Sequence, residues 1–567
     1  MANVSFSYPS FGFDEGRVLD DRDKERRRAK GAREHRGEDI AELDPFFSGF
    51  GSRQENLSGK GVHLSGQSQV GANSVVLDQM NLNVSSPPVL GSEDSPEFGN
   101  AQKPMMPSKT KASLELLSNY WTVLKKPKRD EPAEPNREVP VSQPKLSTEE
   151  IMRVAGTRYL QFQDQRDNYF SLLTHPFGPA FSGLSEEDLR EVQLVQLLLA
   201  AAEKVGDQQF DRASSLLSYC ELLASKRASP AQRIVLYFAE ALRERIDKET
   251  GLMISTKGFE GNTGKDDLSQ GLSTSLTNLK CHAQLPFNQV TQFTALQVII
   301  EHTVSATRIH LIDLQIRSGI QWIVLMQALA ERNGDPVELL KITAVGSAGR
   351  EKIEEAGKRL ASVAESMKIP FSFEVVFLPN LEDIREELFN IEDGEAIAVY
   401  AAVVLRTMLS RPTSLEKMIG VIRNLNPSVM VLTEVEANHN SPSFLARFIE
   451  ALFFYSAFFD CLETCMVHEV KYKTIAEEMF SIGIRNIVSA EGHERFTRNV
   501  KIDVWRAFFA RYRMVEIEFS EVSLYQANLV TKQFACERFC TLDRDGNCLL
   551  VGWKGTPILS LSAWKFR

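Results

Sequence analysis

Two kinds of hydrophobic pattern divide the chain. From Met1 to about Leu146, apolar residues are isolated or sit in short clusters such as Asp44-Pro45-Phe46-Phe47, scattered among Ser, Gly, Pro, Asn and charge. Such a stretch cannot bury enough surface to offset the entropy of ordering it, which predicts a disordered arm over residues 1–148. Beyond Ser147 the spacing becomes regular. Asp188–Gly206 reads DLREVQLVQLLLAAAEKVG, apolar at intervals of three and four, built from good helix formers and closed by glycine, so a helix is expected there. More helices are expected to about Asp247. Residues 149–300 therefore read as mainly helical, interrupted by a polar Gly/Ser/Asn loop from Gly251 to Gly271.

From Arg308 the pattern changes to short apolar runs alternating with amphipathic ones. Strands are expected at Ile309–Leu314, Leu339–Val345, Phe371–Leu378, Ala396–Val404 and Val429–Glu434, with helices at Ile320–Arg332, Arg350–Met367 and Ser414–Leu425. This is the rhythm of an α/β, doubly wound parallel sheet. A helix pair is expected from Ser441 to about Phe480, opened by Ser441 as N-cap and Pro442 at the first helical position. Its apolar stripe is Phe444, Phe448, Leu452, Tyr455 and Phe459. Val515–Phe519, Leu549–Trp553 and Ile558–Phe566 close the chain as strands, suggesting a terminal antiparallel pair.

Charge narrows the function classes. The net charge is −10, with 20 basic against 21 acidic residues over 1–148 and 45 against 54 over 149–567. An acidic folded part argues against gripping nucleic acid through bulk electrostatics. No uninterrupted apolar run is long enough for a membrane span, and the opening MANVSFSYPSFGFDEG lacks a secretory pattern. Two basic clusters lie in the arm. Lys24–Lys30 is diluted by acid and reads equally as a solvated helix face, whereas Lys125, Lys126, Lys128 and Arg129 form a compact nuclear-import candidate. The seven cysteines follow no disulfide framework. Cys461 with Cys465, and Cys536 with Cys540, are four apart and would share helix faces; buried thiols are the favoured reading over a metal, because neither pair has a supporting His or second Cys pair in sequence.

The ordered blocks carry a family resemblance. Ile309-His310-Leu311-Ile312-Asp313, followed by Gly319-Ile320-Gln321-Trp322, resembles the VHIID motif of GRAS proteins. Residues 188–250 and 350–380 look like its two leucine-rich regions, 280–346 its VHIID region, 381–490 its PFYRE-like region and 491–567 its SAW region, ending in Ser562-Ala563-Trp564. The stretch Glu434–Pro442, continuing through Arg447-Phe448 and Tyr455-Ser456, is the nearest match. Departures include Tyr400 where many members have Asn and Val435 where many have Gln. The DELLA N-terminal signature is absent, and LIDLQIRSGIQW is similar to a DELLA-like or symbiosis-related branch. The resemblance implies a Rossmann-type, methyltransferase-like sheet under a helical cap across residues 149–567. It also implies a plant nucleus and regulation of transcription through partners, namely other GRAS proteins and DNA-binding transcription factors. Hormone, developmental and symbiotic signalling are the pathways it suggests.

Candidate chemistry is sparse. A cofactor-binding methyltransferase needs a Gly-rich turn after the first strand and an acid after the second. Here the turn after Asp313 is Leu-Gln-Ile-Arg-Ser-Gly, and the second strand ends at Val345-Gly346 without an acid, so no cofactor and no catalysis are expected. His310 and Asp313, three apart on a strand, point to opposite faces, with Asp313 toward the usual cleft and His310 toward the interior. Leu194, Leu197 and Leu198 form an LxxLL-like motif, read as cap packing ahead of partner contact. A small-ligand enzyme on this fold remains one alternative. Direct sequence-specific DNA binding, through Arg485, Arg495, Arg498 and Lys501 gathered into a groove, remains another.

Overall fold

A computed structural model of the chain describes residues 146–165, 184–252, 267–332 and 335–567. The arm, including Lys125, Lys126, Lys128 and Arg129, lies outside the described residues, as does most of the expected Gly251–Gly271 loop.

Six helices come first: α1 Thr148–Gln165, α2 Glu186–Gly206, α3 Phe210–Leu223, α4 Pro230–Glu249, α5 Asp267–Gln284 and α6 Pro286–His302. α2 and α4 start where Ser185 and Ser229 accept N–H groups from Asp188 and Gln232, satisfying donors a helix start leaves open. α5 begins at Asp267, so the last residues assigned from sequence to the loop are helical.

The alternating region follows as β1 Arg308–Asp313, α7 Ile320–Ala330, β2 Leu339–Gly346, α8 Arg350–Ser366, β3 Phe371–Phe377, β4 Ala396–Ala402, α9 Pro412–Leu425 and β5 Val429–Val435. Then come α10 Phe444–Cys465, α11 Val470–Val488, α12 Ile502–Ala510, β6 Met514–Ile517, α13 Glu521–Thr531, β7 Cys540–Asp545, β8 Cys548–Trp553 and β9 Thr556–Phe566. The strands form one sheet in the order β3-β2-β1-β4-β5-β9-β8-β7, with β6 also on β9. β1 to β5 pair in parallel; β9 is antiparallel to β5, β6 and β8. The doubly wound expectation holds, but the end of the chain is more than an antiparallel pair. β9 inserts between the parallel strands and a β7–β8 hairpin, welding the two parts into one sheet.

Two cores lie on the sheet's two faces. One gathers Ile309, Leu311, Ile342, Tyr400 and Val431 with the cap helices and α10; the other gathers Ile312, Val399, Met430 and Leu432 with α9 and α12. Strand alternation separates these sets residue by residue.

α10 corrects the sequence reading twice. Its N-cap is Ser443, whose Oγ accepts the Ala446 N–H at 3.4 Å, and not Ser441. The carbonyls of Ser441 and Pro442 instead accept from the Arg447 guanidinium, at 2.9 and 3.3 Å, which turns them away from a helical start. The expected stripe is also too narrow, because every residue from Ala446 to Leu462 is buried. α10 is packed by α1, α4, α11 and β9 together, so it is apolar nearly all round. Phe238 meets Phe448 edge-on at 5.3 Å and Phe287 meets Phe458 at 5.6 Å, joining cap to core.

Candidate functional site

In this topology the crevice beyond the carboxyl ends of β1 and β4, where the strand order reverses, is the place a ligand would occupy. Asp313 closes β1 in register with Tyr400 of β4. Its Oδ1 accepts the Gln315 N–H at 3.0 Å and its Oδ2 accepts the Trp322 indole N–H at 2.9 Å. The Trp322 ring meets Tyr400 edge-on at 5.0 Å. Burial pushes the Asp313 carboxyl up to about 6, against the opposing pull of the Gln315 and Trp322 donors and the Arg317 charge. Asp313 is 1% exposed, so it does not open onto a cleft as the sequence reading expected. Trp322, in the first turn of α7, folds back over the strand end and takes the carboxylate for itself.

The glycines beside this point serve packing. Gly319 adopts φ +72° at the start of α7, a conformation side chains rarely take. A Cβ on Gly346 would lie 2.3 Å from Ile353 Cδ1, so this glycine lets α8 close onto the end of β2. Gly346 therefore accommodates the protein's own helix.

His310 lies on the other side of β1, as its spacing from Asp313 predicted. It is fully buried, with Nδ1 2.8 Å from Glu395 Oε2 and Nε2 2.8 Å from Thr343 Oγ1. Burial lowers its pKa, opposed by Glu395. A histidine bracketed by carboxylate and hydroxyl resembles a catalytic relay in composition. Closed off from solvent, it ties β1 to β2 and to the turn before β4. Ile309 and Leu311 pack on the cap side of the sheet and Ile312 on the other.

The remaining candidates are dispersed. Leu194 and Leu198 are buried in the cap core, with Leu197 partly buried against it. Ser562, Ala563 and Trp564 lie on β9; Trp564 Nε1 donates to Ser562 Oγ at 2.9 Å and its ring meets Phe509 at 4.8 Å, while Ala563 faces the cap core. Of the cations of the DNA alternative, Arg495 and Arg498 come together, both donating to Asn440 Oδ1 at 3.4 and 3.1 Å, but Arg495 is only 5% exposed and Arg498 also donates to the Gly492 carbonyl. Arg485 is engaged elsewhere, near Glu240 and Glu244, and Lys501 is 3.9 Å from Glu450.

Sequence reasoning missed a buried polar junction between the ends of the domain. Trp553 Nε1 and Lys554 Nζ each lie 2.7 Å from Asp460 Oδ2. Glu149 binds Arg153 and accepts from Thr556 Oγ1 at 3.3 Å. Asp460 inside an apolar helix was the available signal, since a carboxylate there demands a partner. Among the described residues no group of three or more His, Cys, Asp or Glu is arranged to hold a metal ion, and no helix is long and apolar enough to cross a membrane.

Comparison with known proteins places these features in context. The family model for the GRAS domain family matches residues 194–565. The chain is 31% identical over 377 residues to DELLA protein RGL1 of Arabidopsis thaliana, covering 66% of this chain and 70% of the relative. It is 30% identical over 379 residues to DELLA protein GAI1 of Vitis vinifera, covering 66% and 62%. The crystal structure of SCL7 in Oryza sativa superposes with a TM-score of 0.58 at 25% identity, covering 66% of this chain and 99% of that one.

Proposed function

Because the chain belongs to the GRAS domain family of plant transcriptional regulators, we propose that it acts as a nuclear protein-interaction scaffold or coregulator without catalytic activity. The observation that carries this reading is Asp313, whose two oxygens are taken by Gln315 and Trp322 at the point where a cofactor would bind. A carboxylate already satisfied inside the protein gains nothing from a ligand entering the crevice beside it. The crevice is then a joint of the scaffold, and recognition falls to the outer surface.

On this reading residues 1–148 are an arm in which Lys125, Lys126, Lys128 and Arg129 direct import, and residues 149–567 are the GRAS domain. The cap pairs with other GRAS proteins, and DNA-binding transcription factors bring the assembly to promoters, in hormone, developmental or symbiotic signalling. The face of α3 supports cap pairing: Tyr219, Leu222 and Leu223 are 59, 78 and 59% exposed on one helix.

The test is a paired titration of the full chain. Thermal shift with S-adenosylmethionine is expected to show no saturable change, and promoter DNA is expected to bind weakly, with steep salt dependence and no sequence preference. A saturable shift would restore the enzyme reading, and sequence-selective binding would restore the direct DNA reader.

A further inference from the structure

Four arginines from three parts of the chain converge on the stretch that follows α11. Arg245 of α4 and Arg447 of α10 both bind Glu491 Oε1, Arg245 from 2.8 Å. Arg495 and Arg498, beyond α11, both donate to Asn440 Oδ1, at 3.4 and 3.1 Å. Chain neighbours join the two pairs. Arg447 also donates to the carbonyl of Ser441, next to Asn440, at 2.9 Å, and Arg498 donates to that of Gly492, next to Glu491, at 2.6 Å.

The group holds more positive charge and more donors than the protein answers. Only two carboxylates pair with it, Glu491 and the Glu249 that binds Arg245 at 2.7 Å, which leaves two positive charges over. Among the described residues Arg495 and Arg498 are held by neutral acceptors alone, the Asn440 amide and the Gly492 carbonyl. Arg495 is 5% exposed, yet its Nε and Nη1 have no acceptor within the protein. The buried Nε atoms of Arg245, Arg447 and Arg498 have none either. A buried guanidinium with open donors is costly, and like charges gathered around it add to the cost. Burial, followed by the charges of Arg447 and Arg498, accordingly pushes Arg495 down to about 10.

We propose that Arg245, Arg447, Arg495 and Arg498, with Asn440, form a binding site for a small phosphorylated molecule, whose phosphoryl group takes the place of the Glu491 carboxylate. The Glu491 side chain is 46% exposed and can swing outward. A carboxylate offers two oxygens in one plane and is here engaged by Arg245 and Arg447. A phosphoryl group at that point offers three oxygens in different directions, so it keeps both of these partners and adds Arg498 and Arg495. Its double negative charge also matches the excess left by the two carboxylates. Nucleic acid fits less well, because a duplex backbone cannot follow a single phosphate down to a guanidinium as deeply buried as Arg495. Bound there, the anion fastens α4 and α10 to the stretch after α11, and so ties cap to core. This site is separate from the crevice at Asp313 and does not depend on the scaffold reading.

The test titrates the full chain with inorganic phosphate and with pyrophosphate, by calorimetry and thermal melting, at ionic strength held constant with potassium chloride. One-site binding is expected, with a saturable rise in the melting midpoint of about 3 °C. Arg495→Gln and Arg498→Gln should each weaken binding by about tenfold or more. Glu491→Gln should tighten it, because the competing carboxylate is gone. Arg498 is only partly buried, so Arg498→Gln carries the test if Arg495→Gln folds poorly. Stabilisation that never saturates and is equal in wild type and Arg498→Gln would be the general salting-out by phosphate, and would overturn the site. Displacement of pyrophosphate by one equivalent of duplex DNA would overturn the small-molecule assignment in favour of a nucleic-acid backbone.

Discussion

Glu434 sits 1% exposed near the end of β5, its Oε1 accepting the N–H groups of Leu405 at 2.8 Å and Arg406 at 3.2 Å. Burial pushes its carboxyl up to about 7, although the Arg406 charge and these N–H donors pull the other way. A folded-state value above the unfolded one means that the folded chain holds this proton more tightly. The associated stabilisation is complete below the unfolded value of roughly 4.5, and is lost as pH rises through about 7. Glu434→Gln keeps the shape and removes the titration. The stability of wild type relative to this variant should therefore fall by about 2–3 kcal/mol between pH 4.5 and 7.5. Denaturant midpoints at a series of pH values check this, and a flat difference would show that Glu434 stays ionised. Packing makes a second residue-scale prediction at Gly357 in α8, where a Cβ would lie 2.3 and 2.4 Å from Phe373 ring atoms. An aromatic ring cannot yield as a flexible chain end does, so Gly357→Ala should destabilise by about 1–3 kcal/mol despite its better helix propensity. Equal or higher stability by thermal melting would show that β3 shifts to make room.

At the scale of elements, β9 decides the integrity of the domain. It pairs with β5 through Val431↔Ala563, with β8 through Leu549↔Leu561 and with β6 through Glu516↔Trp564. Ending the chain after Gly552 would strip β5 and β8 of their shared neighbour, expose Val431 and Val551, and leave unpaired strand edges that favour aggregation. Loss of solubility and of a cooperative melting transition is the expected outcome; an unchanged transition would mean that β9 is dispensable. The parallel strands were legible because their periodicity is local, and β1, β2, β4 and β5 fall within a residue or two of their expected bounds. The position of β9 was not legible, because pairing partners distant in sequence leave no trace in the pattern of one strand. The start of α10 departs from Ser441 for a local reason: the Arg447 guanidinium, one helical turn inside the helix, takes the Ser441 and Pro442 carbonyls, and Ser443 caps instead.

The whole molecule presents two kinds of apolar residue on its cap, and their exposure separates stability from recognition. The candidate site was half legible in the same sense: the missing glycines and missing acid after β1 and β2 could be read directly, whereas the Trp322 indole on Asp313 needed α7 to fold back. Exposure was likewise invisible in the leucine pattern of the cap, where Leu198 is fully buried and Leu222 is 78% exposed. Leu198→Asp places a charge in the cap core with no partner provided for it and should unfold the cap or cost several kcal/mol, about 3 or more. Leu222→Asp and Tyr219→Asp change solvated positions and should leave the stability of the full chain, read from its melting transition, within about 0.5 kcal/mol of wild type. If α3 carries the pairing of the cap with a second GRAS chain, the same two substitutions should weaken that association at least tenfold, which is about 1.4 kcal/mol, in sedimentation or co-purification. Unweakened association by a folded Leu222→Asp, Tyr219→Asp chain would move the pairing surface off α3. Weakened association with an intact melting transition would assign recognition to a face that contributes nothing to the fold, which is the division of labour a scaffold requires.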